Sequence, residues 1–280
     1  MAHNTDGAKD TANSNGAQGA GGGADVDYPI IAVRGLTKKF GSNTIFKDLD
    51  LDVRCGEILG VVGASGAGKS VLLRCIIGLE PIQAGKIEIF GRDTTTLTPK
   101  QRFEMDTKWG VLFQDGALFG GLTVLQNIQV PMREHLRLPD DIAYELAMLK
   151  LSMVGLSPNA AGKYPSELSG GMRKRAGLAR ALALDPEIVF LDEPTAGLDP
   201  IGAADFDHLI KRLQKTLGLT VYMVTHDLDS LFAVCDRVAV LADGYVVRTG
   251  SPEALRQNPD HPWIESYFCG ERARAATSAI

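Results

Sequence analysis

Val61-Val62-Gly63-Ala64-Ser65-Gly66-Ala67-Gly68-Lys69-Ser70 decides how this chain is read. The apolar run Ile58-Leu59-Gly60-Val61-Val62 has the length and composition of a short buried strand. Ser70-Val71-Leu72-Leu73-Arg74-Cys75-Ile76-Ile77 follows the glycines as a helix. The spacing is G-x-x-x-x-G-K-S in the context that gives it weight, strand then loop then helix. Glycines let successive backbone N–H groups turn inward around a phosphate chain. The helix behind them adds the positive end of its dipole. In such a loop Lys69 reaches the β- and γ-phosphates, and the Ser70 hydroxyl is a ligand for Mg²⁺. The candidate cradle is therefore Gly63, Ala64, Ser65, Gly66, Ala67, Gly68, Lys69, Ser70 and Val71, with a nucleoside triphosphate as its ligand.

The rest of the composition sets boundaries. The chain has 280 residues, 45% hydrophobic and 22% charged, enough for one large domain or two lobes with a substantial core. A net charge of −5 gives no support to a nucleic-acid partner. Cys55, Cys75, Cys235 and Cys269 lie far apart with no C-x-x-C pair, and read as reduced, mostly buried thiols of a cytosolic protein. No window approaches the ~20 apolar residues of a membrane helix. The first residues also lack a secretion-signal pattern, so any membrane role is expected to be peripheral.

Residues 1–27, rich in Gly, Ala, Asn and Asp, are expected to be a disordered tail. The segment 28–260 reads as the folded domain. Ile30-Ile31-Ala32-Val33, Asn43 to Val53 and Lys86-Ile87-Glu88-Ile89-Phe90 suggest a small, largely antiparallel sheet beside the phosphate-loop core. Phe40 lies in this region, where an exposed ring can stack on a purine; taken alone it fits a core position as well.

Residues of about 98–185 read mostly helical, beginning with Thr98-Pro99 as cap and first turn. Val111-Leu112-Phe113 is a short strand ending in Gln114, and Ile128 to Leu136, Asp140 to Val154 and Met172 to Leu184 carry helical spacing. Glu187 to Leu191 and Leu219 to Thr225 are continuous apolar runs, the signature of fully buried parallel strands, joined by a helix from Gly202 to Leu217. Val238 to Leu241 and Tyr245 to Val247 form a hairpin through Asp243-Gly244. Residues 261–280 read as a C-terminal helix and tail. There Trp263, Ile264, Tyr267 and Phe268 pack on their own subunit or reach a partner, and Arg272 to Ile280 fray.

Chemistry gathers at the strand ends. Asp192 is placed to hold Mg²⁺ opposite Ser70, and Glu193, one residue on, to orient and polarise an attacking water. Two acids at the end of an apolar strand are costly unless a cation or water meets them. Gln114 offers an amide oxygen to the metal or the water, and His226 a hydrogen bond to the γ-phosphate as charge develops. Each of these two takes its weight from its company.

The phosphate loop, Gln114, Leu168-Ser169-Gly170-Gly171, Leu191-Asp192-Glu193-Pro194, Leu198-Asp199 and His226 resemble, in that order, the motifs of an ABC transporter ATPase. The likeness covers roughly Ile30 to Gly250. It implies an α/β fold: a P-loop NTPase core with an antiparallel β subdomain and an inserted helical subdomain. Phe40 then looks like the adenine-stacking aromatic and Gln114 like the lid glutamine that senses Mg²⁺ and the membrane subunit. Ser169, Gly170 and Gly171 resemble the signature that touches the γ-phosphate held by another subunit. Asp199 looks like the aspartate linking the two sites, and His226 like the switch histidine. The signature opens a helix, and a glycine-rich helix N-terminus is an anion site. With one copy of each motif, two chains are expected head to tail around two ATP molecules.

Gln114 to Phe119, Pro131 to His135 and Glu167 to Arg175 further resemble the ATPases of MCE-associated, Mla-type phospholipid transporters. Met172, where many ABC ATPases have Gln, fits that branch; Met132 stands where Leu is expected. The resemblance implies an integral-membrane permease, an MCE-type lipid-binding protein and a small cytosolic regulatory subunit as partners, at the cytoplasmic face of the inner membrane. It places the permease contact around Ala117 to Ile128, where Leu118, Phe119 and Leu122 are either interface or core. ATP and Mg²⁺ are the implied substrate and metal. Another cargo (an amino acid, an ion or an export substrate) and a non-transport ABC regulator remain open readings.

Overall fold

The computed structural model describes residues 29–270, so the expectations for 1–27 and for Arg272 to Ile280 lie outside the described residues. Two long strands, β1 (Pro29–Phe40) and β2 (Asn43–Arg54), form a hairpin. Next come β3 (Ile58–Gly63), α1 (Lys69–Ile76), β4 (Ala84–Ile89) and β5 (Arg92–Asp93). β1, β2, β4 and β5 make a four-stranded sheet in the order β2-β1-β4-β5, antiparallel as the sequence suggests. The apolar run Ile30 to Val33 covers only the first third of β1. Register shifts around Gly35 and Lys38 break the alternation that would have shown the rest of the strand.

The largely helical span opens with α2 (Pro99–Asp106), capped by Thr98 in a capping box, and then β6 (Trp109–Leu112). α3 (Val124–His135), α4 (Asp140–Met153) and α5 (Gly170–Ala181) follow. α3 begins four residues before the expected Ile128, because Thr123 and Gln126 form a second capping box. β6 overlaps the short strand expected at Val111 to Phe113, starting two residues earlier, and pairs with the core sheet although it lies inside the 98–185 span.

The core sheet is completed by β7 (Ile188–Asp192), α6 (Pro200–Leu217), β8 (Thr220–Val224), α7 (Leu228–Val234), β9 (Arg237–Ala242) and β10 (Tyr245–Gly250); α8 (Pro252–Gln257) and α9 (Pro262–Cys269) end the described chain. Its strand order is β10-β9-β3-β8-β7-β6, parallel except for the edge strand β10. The β9–β10 turn has Asp243 and Gly244 both at positive φ, as a two-residue type I′ turn requires.

β3, β7 and β8 are buried at every residue, which is why they read as unbroken apolar runs. Alternate side chains feed two cores. Ile58, Val62, Val189, Leu191, Val221 and Met223 join the layer packed against α3 to α9. Leu59, Val61, Ile188, Phe190, Tyr222 and Val224 join the layer shared with α1 and the antiparallel sheet. The C-terminal aromatics pack on their own chain: Ile264 and Phe268 are buried, and the Phe268 ring lies 6.2 Å from Phe232. Cys75 and Cys235 are buried, but Cys55 is exposed, against the reading of mostly buried thiols. Among the described residues no helix is long and apolar enough to cross a membrane.

Candidate functional site

The parallel strands deliver their C-terminal ends to one edge of the sheet, where an open α/β sheet offers a ligand site. β3 runs into the glycine loop, and α1 starts at Lys69 with Gly68 as its N-cap at φ 93°. The β1–β2 hairpin leans on this loop: a Cβ on Gly68 would stand 2.7 Å from Ile45 and 2.8 Å from Phe46. Glycine is required there twice over, for the turn and for the approach. Phe40, at the tip of the same hairpin, is 46% exposed, with the Lys38 ammonium 4.4 Å from its ring centroid.

Lys69 Nζ donates to the carbonyls of Gly63 (2.9 Å) and Ala64 (3.2 Å), across its own loop. Burial pulls its pKa below the ordinary lysine value, and the carboxylates of Glu193 and Asp192 oppose that shift. Ser70 Oγ donates to Asp192 Oδ1 at 2.9 Å. Asp192 is buried at the end of β7, opposite Val224 of β8. Glu193 follows at φ 52°, its N–H on the Val224 carbonyl at 2.9 Å and its Oε2 2.7 Å from His226 Nδ1. Lys69, Ser70, Asp192, Glu193 and His226 thus converge. The two acids are not bare, since Ser70 meets one and His226 the other.

Five candidates stand apart from that cluster. Gln114 opens a short 3₁₀ turn just beyond β6 and is exposed. Ser169 is the N-cap of α5, accepting from the Met172 N–H at 3.3 Å, with Gly170 and Gly171 in the first turn. Asp199 is the N-cap of α6, its Oδ1 accepting from the Gly202 N–H at 3.0 Å. A Cβ on Gly171 would lie 3.8 Å from Leu198, so the signature and the Asp199 turn are neighbours. Ser169 and Asp199 are exposed. They are not part of this chain's own cradle.

A family model described as ABC transporter matches residues 46–196, more than half of the chain. The chain belongs to the ABC transporter family. As a member it is an ATPase with the cassette fold. It is 42% identical over 253 residues to the probable ribonucleotide transport ATP-binding protein mkl of Mycobacterium leprae, covering 89% of this chain and 72% of that one. It is 41% identical over 235 residues to the intermembrane phospholipid transport system ATP-binding protein MlaF of Haemophilus influenzae, covering 84% of this chain and 89% of that one. The dimeric structure of the ABC transporter cassette MJ0796 superposes with a TM-score of 0.73 at 31% identity, covering 79% of this chain and 98% of that one. The same cassette has also been solved as a dimer in a post-hydrolysis state bound to ADP and Pi, with the same similarity.

The cassette also carries groups that the sequence reading passed over. Lys174 of α5, 3% exposed, donates from Nζ to the Glu193 carbonyl at 2.9 Å. The signal was its place in the stripe Lys174, Gly177, Leu178, Ala181, which puts a charge on the buried face of a helix. Asp207 of α6 is buried as well, accepting from Ser230 Oγ at 2.7 Å. A groove of about 410 Å³ lies beyond the Gln114 turn, walled by Trp109, Phe113, Phe119, Pro131, His135 and Arg180 among others. It includes Ala117 and Phe119 but reaches the C-terminal ends of α3 and α5 rather than the start of α3. Phe119 is 53% exposed, while Leu118 and Leu122 are half-buried.

Proposed function

We propose that this chain is the ATP-hydrolysing subunit of an ABC transporter that moves phospholipid between membranes. The observation that carries the hydrolytic reading is the convergence of Ser70, Asp192, Glu193 and His226 at one sheet edge beside the glycine loop. In this reading Gly63 to Val71 wrap the phosphates of ATP, Phe40 stacks on the adenine, and Lys69 exchanges its own carbonyls for the β- and γ-phosphates. The oxygen-only pair of Ser70 and Asp192 fits Mg²⁺, since the hydroxyl and a buried carboxylate already face each other at 2.9 Å; Gln114, apart from them here, would join the pair by a movement of its turn. Bound there, Mg²⁺ neutralises phosphate charge. Glu193 orients the attacking water and takes up its proton, and His226 holds the Glu193 carboxylate and donates towards the γ-phosphate.

Ser169, Gly170, Gly171 and Asp199 act on the nucleotide of a second copy, which closes head to tail over each cradle. ATP then favours the closed dimer over the open one, and that difference in affinity moves the membrane subunit between states. The permease docks in the groove around Phe119 and Arg180. An MCE-type lipid-binding protein and a small regulatory subunit complete the assembly at the cytoplasmic face of the inner membrane.

The phospholipid cargo is supported by the likeness to MlaF, which runs over nearly its whole length, whereas the ribonucleotide-transport relative is matched over a smaller share. That second name keeps ribonucleotide transport as the rival reading, since cargo is selected by subunits other than this one. Purifying the chain from membranes and identifying the proteins and lipids that accompany it tests both. A permease, an MCE-type protein and bound phospholipid are expected. A permease without either, together with ATP hydrolysis stimulated by ribonucleotides, would replace the cargo.

A further inference from the structure

Glu193 has an uncommon backbone. At φ 52° it lies in the left-handed region, which residues with a Cβ occupy only when their surroundings hold them there. Its N–H is held by β8 through the Val224 carbonyl at 2.9 Å. Its carbonyl is held from the opposite side by a side chain, the Lys174 ammonium at 2.9 Å. Lys174 is 3% exposed, so this contact is shielded from water and from competing ions. Burial lowers the lysine pKa, and the carboxylates of Asp115 and Glu193 oppose that.

The lysine belongs to a helix that touches Glu193, the Gln114 turn and the Leu198-Asp199 turn. α5 begins at the Ser169 cap, five residues before Lys174. One turn further on, Gly177 lies against the Gln114 turn so closely that a Cβ there would stand 2.9 Å from the Gly116 Cα. At its last turn Arg180 donates to the carbonyls of Ala117 (2.8 Å) and Gly116 (3.0 Å), and its guanidinium lies 5.7 Å from the Phe119 ring centroid. Arg180 and Phe119 wall the groove beyond that turn. A helix of this length spans about 18 Å as one rigid body. The groove and the Glu193 backbone are therefore joined by it, and Lys174 is the joint.

We propose that Lys174 is a positioning residue for ATP hydrolysis, holding the Glu193 carbonyl and thereby the direction of its carboxylate. This rests on the reading of Glu193 as the group that orients water. The ammonium fixes one end of a single peptide unit, and with it the Cα–Cβ direction from which the side chain reaches its carboxylate, which His226 holds at the other end. Movement of α5 then carries the carboxylate into or out of line with the γ-phosphate, while the glycine cradle, built on β3 and α1, stays as it is.

The test uses the full-length chain with Lys174→Met, which keeps the stem and removes the donor, Lys174→Arg, which keeps a donor, and Glu193→Gln as reference. kcat and KM come from phosphate release, and ATP affinity from a fluorescent ATP analogue. Lys174→Met is expected to lower kcat by about 10–100-fold, since a displacement of about 1 Å has that effect, with KM and analogue affinity within about twofold. Lys174→Arg is expected to recover most of the loss. Should the methionine variant not fold, Lys174→Gln, whose amide is too short to reach, takes its place. A kcat within twofold of the parent overturns the proposal. So does a fall in kcat matched by lost nucleotide affinity, or an arginine variant as slow as the methionine one. Full-rate hydrolysis by Glu193→Gln would instead overturn the reading of Glu193 itself.

Discussion

His226 Nδ1 and Glu193 Oε2 lie 2.7 Å apart, although the histidine side chain is 69% exposed and the glutamate 18%. A partly buried carboxylate held by an open imidazole can accept a proton from water without losing its orientation. Glu193→Gln is therefore expected to retain ATP binding and to lose turnover by roughly 10²–10⁴-fold. His226→Ala is expected to reduce phosphate release by about 10²-fold, because a positioned donor and an orienting contact disappear together. Phosphate release measured beside nucleotide affinity checks both; parental turnover in either variant contradicts the assigned role.

Lys69 and Gly68 separate affinity from shape. The Lys69 ammonium is hydrogen-bonded to two carbonyls of its own loop, which it can exchange for phosphate. Lys69→Ala is expected to weaken ATP binding by on the order of 10²-fold, the scale of a charge-assisted contact, with little change in melting temperature. Gly68→Ala is expected to do the reverse first. Its φ of 93° and the Ile45 and Phe46 side chains leave no room for a methyl group. The cost is about 1–3 kcal/mol of stability, read in a denaturant titration, and nucleotide affinity falls with it.

How much of this was visible in the sequence depends on whether a feature is local. The glycine loop, the buried strands β3, β7 and β8 and the I′ turn at Asp243-Gly244 are written in consecutive residues, and they fold where they were read. The second half of β1 was hidden because bulges near Gly35 break the period of two. The first turn of α3 was legible in Thr123 and Gln126 but lies outside the apolar stripe. What Lys174 and Arg180 hold could not be read for another reason, although the apolar stripe already put Lys174 on a buried face. Their partners are main-chain carbonyls of Glu193, Gly116 and Ala117, and a carbonyl has no signature in sequence.

Asp207 provides a pH test. Its carboxylate is buried on α6, one oxygen taking the Ser230 hydroxyl and the other, Oδ1, without a hydrogen-bond partner. Burial raises its pKa from 3.8 to about 6, with Asp227 and Asp229 adding to the rise and the Ser230 hydrogen bond and His208 opposing it. An acid with a raised folded-state pKa destabilises the fold when ionised. The penalty is complete above about pH 6 and vanishes once both states are protonated below about pH 4. Asp207→Asn, which keeps an acceptor for Ser230, is expected to raise stability at pH 8 by roughly 1–2 kcal/mol. The gain should shrink steadily as the pH falls through 6 towards 4. A gain independent of pH would mean that the carboxylate is not the source of the penalty.

Phe119 tests the groove. Its ring is 53% exposed beside the Arg180 guanidinium, an arrangement with half its surface in water in the chain alone. Exposed aromatic and arginine pairs over an apolar pocket are the residues that dominate binding energy once a partner covers them. Phe119→Ser removes the ring without opening a core, so the melting point should stay within the range of ordinary surface substitutions, about 0.5 kcal/mol. Affinity for ATP should also hold, because the cradle lies on other elements. What should fall is the amount of membrane subunit that purifies with the chain, by about tenfold or more, as expected for loss of an interface anchor. Undiminished recovery of that subunit with Phe119→Ser, and again with Arg180→Ala, would move the contact to another face of the cassette.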